Sequence, residues 1–214
     1  MDTRDLFDDD GSTLPLADGA LLLRGFALPD DATLLHEVDA IVERAPWRHL
    51  VTPGGFTMSV AMSNCGSAGW LSDRRGYRYD ALDPLTQKAW PPMPEAFLSL
   101  AGRAASAAGF DGFRPDACLV NCYEPGAKLS LHQDRDERDH GAPIVSVSLG
   151  LPAVFLFGTT RRSDRPQRVP LRHGDVVVWG GPARLAYHGI APLADGTHPL
   201  LGRRRINLTL RRAL

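Results

Sequence analysis

The sequence predicts an α+β domain that is mainly β, and three observations carry that prediction. From Asp116 onward short segments of alternating character follow one another, broken by turn signals such as Pro125-Gly126 and Gly180-Gly181-Pro182, the pattern of a sandwich, barrel or jelly roll. Two stretches ahead of them space their apolar residues at three and four, as one face of a helix requires. The 214 residues fit one ordinary domain and are enough to bury a continuous core.

Residues 1–13 read as a flexible acidic tail, with Asp2, Asp5, Asp8, Asp9 and Asp10, ahead of a single domain over 14–214. GALLLRGFAL reads as a first strand. Asp30 or Asp31 caps a helix whose face is Leu34, Leu35, Val38, Ile41, Val42 and Ala45, ending before Pro46. A second helix, from about Pro94 to Ala108, carries Phe97, Leu98, Ala101, Ala104, Ala105 and Ala108 and stops at Gly109. These two N-terminal helices are expected to brace one face of the β-structure. Between them, residues 46–92 are rich in Gly, Pro, Ser and Asn, interleaved with Phe56, Met58, Met62, Trp70, Tyr77 and Tyr79. A structureless loop of that length does not suit a compact domain, so hairpins forming a substrate-binding lid are expected. The strands then run ACLVNCY, KLSLHQD, PIVSVSLGL, AVFLFG, QRVPLR, DVVVWG, RLAYHGI and RINLTLR.

A net charge of −1 gives the whole molecule no attraction for nucleic acid, so any such binding needs a local patch. Arginines do cluster late, at Arg161, Arg162, Arg165, Arg168 and Arg172. Cys65, Cys118 and Cys122 form no Cys-x-x-Cys pair and read as packing residues in a reducing compartment. No apolar run approaches the roughly 20 residues of a membrane helix. The acidic N-terminus is unlike a signal peptide, and a cytoplasmic protein with no membrane partner is expected.

The stretch KLSLHQDRDERDH carries the first candidate site. Alternate residues of a strand share a face, so Ser130, His132 and Asp134 are expected on one side, with Leu129 and Leu131 towards the core. A histidine and a carboxylate so placed can hold one metal ion together. The pair alone is a weak signal. A second one, His173-Gly174-Asp175, has a glycine that marks a turn and reads as structural. His188 in LAYHGI is the best third ligand, and His198, in the loop DGTHPL, reads as solvated. Two histidines and one carboxylate with open positions are the arrangement of non-haem Fe(II) oxygenases. In RINLTLR, period two puts Arg205, Asn207, Thr209 and Arg211 on one face and Ile206, Leu208 and Leu210 on the other. Guanidinium groups facing an interior need anionic partners, and a dicarboxylate cosubstrate would satisfy them.

This ordered set, His132-x-Asp134, His188 and Arg205-x-Asn207-x-Thr209-x-Arg211, resembles the signature of the AlkB family of Fe(II)/2-oxoglutarate dioxygenases, which remove alkyl groups from nucleic acid bases by oxidation. The likeness extends to VTPGGFTMSVAMSNCG, PDACLVNCYEPGAKLSLHQDRDE, APIVSVSLGLPAVFLFG, HGDVVVWGG and GRRRINLTLR, and covers the chain from about residue 15. It implies a double-stranded β-helix, or jelly-roll, core. It also implies that His132, Asp134 and His188 hold Fe(II), and that Arg205 pairs the distal carboxylate of 2-oxoglutarate, helped by Tyr123 and Asn207. Asn121 and Arg211 would lie near the metal-binding end of that cosubstrate. With O2, 2-oxoglutarate becomes succinate, the alkyl carbon is hydroxylated, and the product releases formaldehyde.

A ring nitrogen is reached only when its base leaves the stack. By the same resemblance Trp70 would stack on the base with His132 on the opposite face, and Tyr77 would contact the base or its phosphate. Asp136 would meet the positive charge of 1-methyladenine or 3-methylcytosine, or its exocyclic amine. Backbone contacts are expected from Thr52, Arg74, Arg75, Lys128, Arg135 and Arg162. The expected partner is alkylated nucleic acid, single-stranded DNA ahead of a long duplex, met by a monomer. The competing expectation is an oxygenase of the same fold acting on a small molecule or a protein side chain. The aromatic, arginine-bearing lid favours the nucleic acid.

Overall fold

The computed structural model describes residues 11–214. The expected acidic tail therefore lies outside the described residues as far as residue 10, and its last residue, Thr13, already opens a strand. The stretch read as one first strand is a hairpin arm. β1 (Thr13–Ala17) pairs antiparallel with β2 (Ala20–Leu23), turning at Gly19 with φ +77°. A β-carbon at Gly19 would collide with the carbonyl oxygen of Gly180, so only glycine serves that turn. Phe26 and Ala27 fall outside the strand, beside a single 3-10 turn at Leu28–Asp30.

Helix α1 (Asp31–Arg44) buries Leu34, Val38 and Ile41, one stripe at intervals of four and three, and ends at Ala45 ahead of Pro46. Neither acid at its start caps it with a side chain. The Asp30 carboxylate instead meets Arg103 at 2.5 Å and Asp31 meets His173 Nε2 at 3.0 Å. Helix α2 (Glu95–Ala107) buries Phe97, Leu100, Ala101, Ala104 and Ala105, small residues that let it lie close to the sheet.

The remaining strands are β3 (Arg48–Val51), β4 (Thr57–Gly66), β5 (Gly69–Asp73), β6 (Gly76–Asp80), β7 (Ala117–Tyr123), β8 (Leu129–His132), β9 (Ile144–Gly150), β10 (Ala153–Phe157), β11 (Gln167–Leu171), β12 (Val176–Trp179), β13 (His188–Ile190) and β14 (Arg205–Arg211). One eight-stranded sheet runs β1-β2-β12-β9-β14-β7-β4-β3, and a four-stranded sheet runs β11-β10-β13-β8. The expected lid over 46–92 divides. β3 and β4 join the large sheet, because β4 is long enough to pair with β7 and its Val60 and Met62 are buried. Only β5 and β6 form a separate two-stranded hairpin.

Two cores follow from the period of the strands. The outer face of the large sheet presents Cys118, Val120, Cys122, Val145, Val147, Ile206, Leu208 and Leu210 to α1 and α2. Its inner face meets the small sheet through Met62, Leu119, Ile144, Val177 and Trp179 against Phe155, Phe157, Val169, Leu171 and Ile190. Each fully buried aliphatic or aromatic side chain stabilises by roughly 1.5–3 kcal/mol, and nearly every strand contributes to one core or both. The three cysteines are free and buried, as their reading as packing residues requires. Among the described residues no helix is long and apolar enough to cross a membrane.

Candidate active site

His132 closes β8 and His188 opens β13, and antiparallel pairing sets them directly opposite each other with ring centres 4.4 Å apart. Asp134 is not on the strand, as period two suggested; β8 ends at His132 and the chain then loops, returning the carboxylate to the same point. His132 Nδ1 lies 2.9 Å from the Ser130 carbonyl and His188 Nδ1 lies 3.0 Å from that of Ala186. A carbonyl only accepts, so each Nδ1 carries a proton, and in the neutral imidazole that leaves the Nε2 lone pair to ligate. Those two Nε2 atoms face Asp134, at 3.6 Å from Oδ1 and 3.7 Å from Oδ2. One donor atom from each of the three lies within 4.8 Å of the others. Burial, then the neighbouring His132, pushes the pKa of His188 down to about 4, so it stays neutral and free to ligate. Burial raises the Asp134 carboxyl, but Arg211, His188 and His132 more than offset it and hold it well below the usual range. Two neutral imidazoles and one carboxylate, with His132 still partly open, suit a divalent ion with free coordination positions.

On β14, period two holds. Arg205, Asn207, Thr209 and Arg211 are all buried, on the face opposite Ile206, Leu208 and Leu210. Arg205 is 1% exposed, its Nη2 donates to Ser148 Oγ at 3.0 Å and its guanidinium lies 5.0 Å from the centre of the Tyr123 ring. Nε and Nη1 have no hydrogen-bond partner among the described residues. An unpaired buried guanidinium is costly, and an anion such as a carboxylate is the kind of partner these atoms could take. Asn121 Oδ1 is likewise unpartnered, while Asn121 Nδ2 donates to Asn207 Oδ1 at 3.3 Å. Asn207 Nδ2 in turn donates to Ser146 Oγ at 2.8 Å and the Val147 carbonyl at 2.9 Å. Arg211 donates to Asp134 Oδ2 from Nε at 2.8 Å and reaches it from Nη2 at 2.6 Å, which binds the strand to the metal triad.

With that geometry in view, comparison with known proteins is decisive. Residues 19–211 match the 2OG-Fe(II) oxygenase superfamily. The alpha-ketoglutarate-dependent dioxygenase AlkB of Salmonella typhimurium is 58% identical over 210 residues, 98% of this chain and 97% of that one. This chain belongs to the AlkB family. It is therefore an Fe(II)- and 2-oxoglutarate-dependent dioxygenase, alpha-ketoglutarate being the older name of the cosubstrate. The mouse nucleic acid dioxygenase ALKBH1 is 32% identical over 130 residues, covering 59% of this chain and 33% of that one. The solved structure of OsALKBH1 superposes with a TM-score of 0.84 at 29% identity, over 94% of this chain and 100% of that one.

In this AlkB-family member a cavity of about 710 Å³ is lined by the triad, by Asn121, Tyr123, Arg205, Asn207 and Arg211, and by Trp70, Tyr77, Thr52, Lys128, Asp136 and Arg162. Trp70 projects from β5 and stacks on Tyr77 of β6, rings 5.5 Å apart and inclined by 13°. Its Nε1 donates to Asp136 Oδ2 at 2.9 Å. Arg162 lies over the Tyr187 ring at 5.6 Å, and Thr52 Oγ1 accepts from the amide of Phe56 at 3.1 Å, shaping the β3–β4 turn. Of the other expected backbone contacts, Arg135 lines the cavity; Arg74 and Arg75 do not, and Arg75 pairs with Asp73 at 3.0 Å.

The second pair, His173-Gly174-Asp175, is a turn. His173 Nδ1 accepts from the Gly150 amide at 2.9 Å, Gly174 has φ +84°, and Asp175 meets Arg24 at 2.6 Å. His198 is half-buried, its ring 4.5 Å from that of His173. Sequence reasoning missed Glu137, Arg184 and Tyr79, which lie behind the triad. Glu137 and Arg184 are buried and paired at 3.1 Å. Glu137 sits in a run of loop charges and Arg184 in an irregular segment, so no periodicity marked either as internal.

Proposed function

We propose that this protein removes alkyl groups from the ring nitrogens of nucleic acid bases, in DNA and secondarily RNA, by hydroxylating the alkyl carbon, and so repairs alkylation damage. The observation that carries this reading is the shared cavity: the candidate iron ligands, the unpaired Arg205 and a lid bearing Trp70, Tyr77, Lys128 and Arg162 all open onto it. Iron(II), with 2-oxoglutarate and oxygen, supplies the oxidation of the alkyl carbon, 2-oxoglutarate losing carbon dioxide to become succinate. His132, Asp134 and His188 hold the metal. Arg205, with Tyr123 and Asn207, takes the distal carboxylate, and Asn121 and Arg211 flank the end nearer the metal.

Trp70 presents a flat face, fixed from behind by Tyr77 and at its edge by Asp136, against which an extruded base stacks. The exposed edge of His132 bounds the other side. A base methylated at a Watson–Crick nitrogen, as 1-methyladenine or 3-methylcytosine, is cationic, and Asp136 meets that charge or the exocyclic amine. Thr52, Lys128, Arg162 and the exposed Tyr77 take the flanking phosphates, which position the strand without reading it. A modest basic patch and a net charge of −1 suit a short single-stranded footprint on a monomer. We read the two facing sheets as a double-stranded β-helix, braced by α1 and α2, with β5–β6 as the nucleotide lid. Three free, buried thiols suit a reducing compartment, and we place the protein in the cytoplasm.

The test is an anaerobic reconstitution with Fe(II) and 2-oxoglutarate, followed by oxygen and a single-stranded oligonucleotide carrying one 1-methyladenine. Loss of one methylene unit from the oligonucleotide, with formaldehyde, is expected. Succinate without any change in oligonucleotide mass would move the substrate to a small molecule or protein side chain.

A further inference from the structure

The strand pairing that brings the two histidines together stops at them. β8 ends at His132, and residues 133–143 run as loop until β9 begins at Ile144. On the other side the chain enters β13 at His188 from an irregular segment that starts with the 3-10 turn Gly181–Ala183. Asp134 therefore lies beyond the last paired residue, and its position relative to His188 has to come from side chains.

Two side chains supply it reciprocally. Gln133, between two of the ligands in the chain, donates from Nε2 to the Leu185 carbonyl at 2.7 Å. Arg184, the neighbour of Leu185, donates from Nη1 to the carbonyl of Asp134, the neighbour of Gln133, also at 2.7 Å. Each segment thus reaches the backbone of the other, and the pair continues the β8–β13 contact where its own ladder has ended. Arg184 also donates from Nε to the Ala142 carbonyl at 3.0 Å and from Nη2 to Glu137 Oε2 at 3.1 Å. One guanidinium therefore holds the loop near its start, in its middle and near its end. The residue is 3% exposed, and its charge is matched by Glu137, whose other oxygen accepts from the Tyr79 hydroxyl at 2.7 Å. A rigid planar fork of donors suits three acceptors at fixed directions, and a lysine ammonium does not reproduce it. The Asp134 carboxylate is oriented separately, by Arg211, so Arg184 fixes the backbone of that residue and Arg211 its side chain.

We propose that Arg184, with Gln133, is a positioning residue of the metal centre: it sets the Asp134 loop against the His188 segment at the separation that lets all three donor atoms fall within 4.8 Å of one another. The inference rests on the reading of His132, Asp134 and His188 as the metal ligands. A ligand loop that must be ordered on binding loses affinity by the cost of ordering it, and one held beforehand does not. Arg184 is absent from the cavity lining, so it touches neither cosubstrate nor base there. Its contribution falls on metal binding, through the backbone it holds.

The test titrates Mn(II) into the full chain by calorimetry, without nucleic acid, and records the visible spectrum of the Co(II)-loaded protein, which reports the geometry of the ligand set. Neither readout needs turnover or depends on what the substrate is. Arg184→Met, which keeps much of the buried volume and removes every donor, is expected to weaken Mn(II) binding by about 10- to 100-fold, the usual loss when a ligand's support is removed, and to change the Co(II) spectrum. Arg184→Lys returns a cation to Glu137 but not the fork. It is expected to regain melting temperature relative to Arg184→Met while Mn(II) affinity stays low, a split that a purely structural arginine would not produce. Gln133→Met removes the other half of the reciprocal hold without changing any charge, is expected to weaken Mn(II) binding in the same direction, and decides the matter if Arg184→Met does not fold. Unchanged affinity and spectrum in folded Arg184→Met, or in Gln133→Met where it has to decide, overturn the proposal, as does full recovery of affinity in Arg184→Lys. Absence of Mn(II) binding to the unmodified protein would instead remove the assignment of the triad, and this inference with it.

Discussion

His132 and His188 are directly opposed residues of paired antiparallel strands, although a long stretch of chain separates them. Their side chains meet because β8 and β13 approach closely, and Gly189 permits it. A β-carbon at Gly189 would lie 2.5 Å from the Leu129 carbonyl oxygen and 3.1 Å from that of Ser130. Sheet pairing therefore sets the two histidines of the metal site, and only Asp134 comes from a loop.

Gly189→Ala should force β13 off β8 and part the two histidines. We expect a folded protein, since the larger sheet and the core beneath α1 and α2 lie elsewhere, with Mn(II) affinity reduced by about 10- to 100-fold, the usual cost of losing support for a ligand. Titration calorimetry measures it, and an unchanged affinity would show that the close approach at Gly189 is not what holds the ligands.

His132→Ala removes one of three ligands and leaves the lid intact. Turnover should vanish while the alkylated oligonucleotide still binds, weakly, in an anisotropy assay. Unchanged turnover would sink the assignment of the triad.

Arg205→Ala separates ligand binding from stability. Removing one partner of a buried charge pair costs about 2–5 kcal/mol, so the 2-oxoglutarate requirement should rise by roughly thirtyfold or more with Mn(II) affinity retained. Without 2-oxoglutarate, two guanidinium nitrogens lack partners, and Arg205→Met, which keeps most of the buried volume, should leave the melting temperature level or raise it. A cosubstrate requirement that did not move would contradict the anion seat.

Trp70→Ala should raise KM for the oligonucleotide by about 5- to 150-fold, since base–aromatic stacking is worth about 1–3 kcal/mol. Trp70→Phe should recover most of that loss, keeping a flat face while giving up the bond to Asp136. Equal KM values for all three forms would mean that the base stacks elsewhere.

The thiols offer a check on the core. Burial pushes Cys122 up to about 11, and the hydrogen bond with Cys118, then burial, raises Cys65 well above its ordinary value. A thiol reagent at neutral pH should find no reactive group in the folded protein and all three after denaturation. Rapid native labelling would place a cysteine outside the packing described.

Much of this was legible in the chain itself. The periods of α1, α2 and β14 gave the buried faces, since a 3.6-residue or two-residue repeat has to meet a core. Arg205 and Arg211 stood out because charges on an inward face demand partners. The division of the lid was not legible, because β4 carries the composition of a loop and becomes a strand only by pairing with β7. Asp134 joined His132 from the wrong premise: the strand stops first, and the loop restores what strand geometry had suggested.

By itself, then, the sequence determined the two helices, the run of strands from Asp116 onward, the alternating faces of β14, and the kinds of side chain available for a metal and a dicarboxylate. Those depend on local period and residue chemistry. Tertiary structure alone decided that His188 faces His132, that Arg211 sits on Asp134, and that Glu137 and Arg184 are internal charges tied to the hairpin through Tyr79. These relations are contacts between residues distant in the chain. Their geometry comes from strand pairing and from the need to neutralise buried charge, and neither leaves a repeat in the sequence.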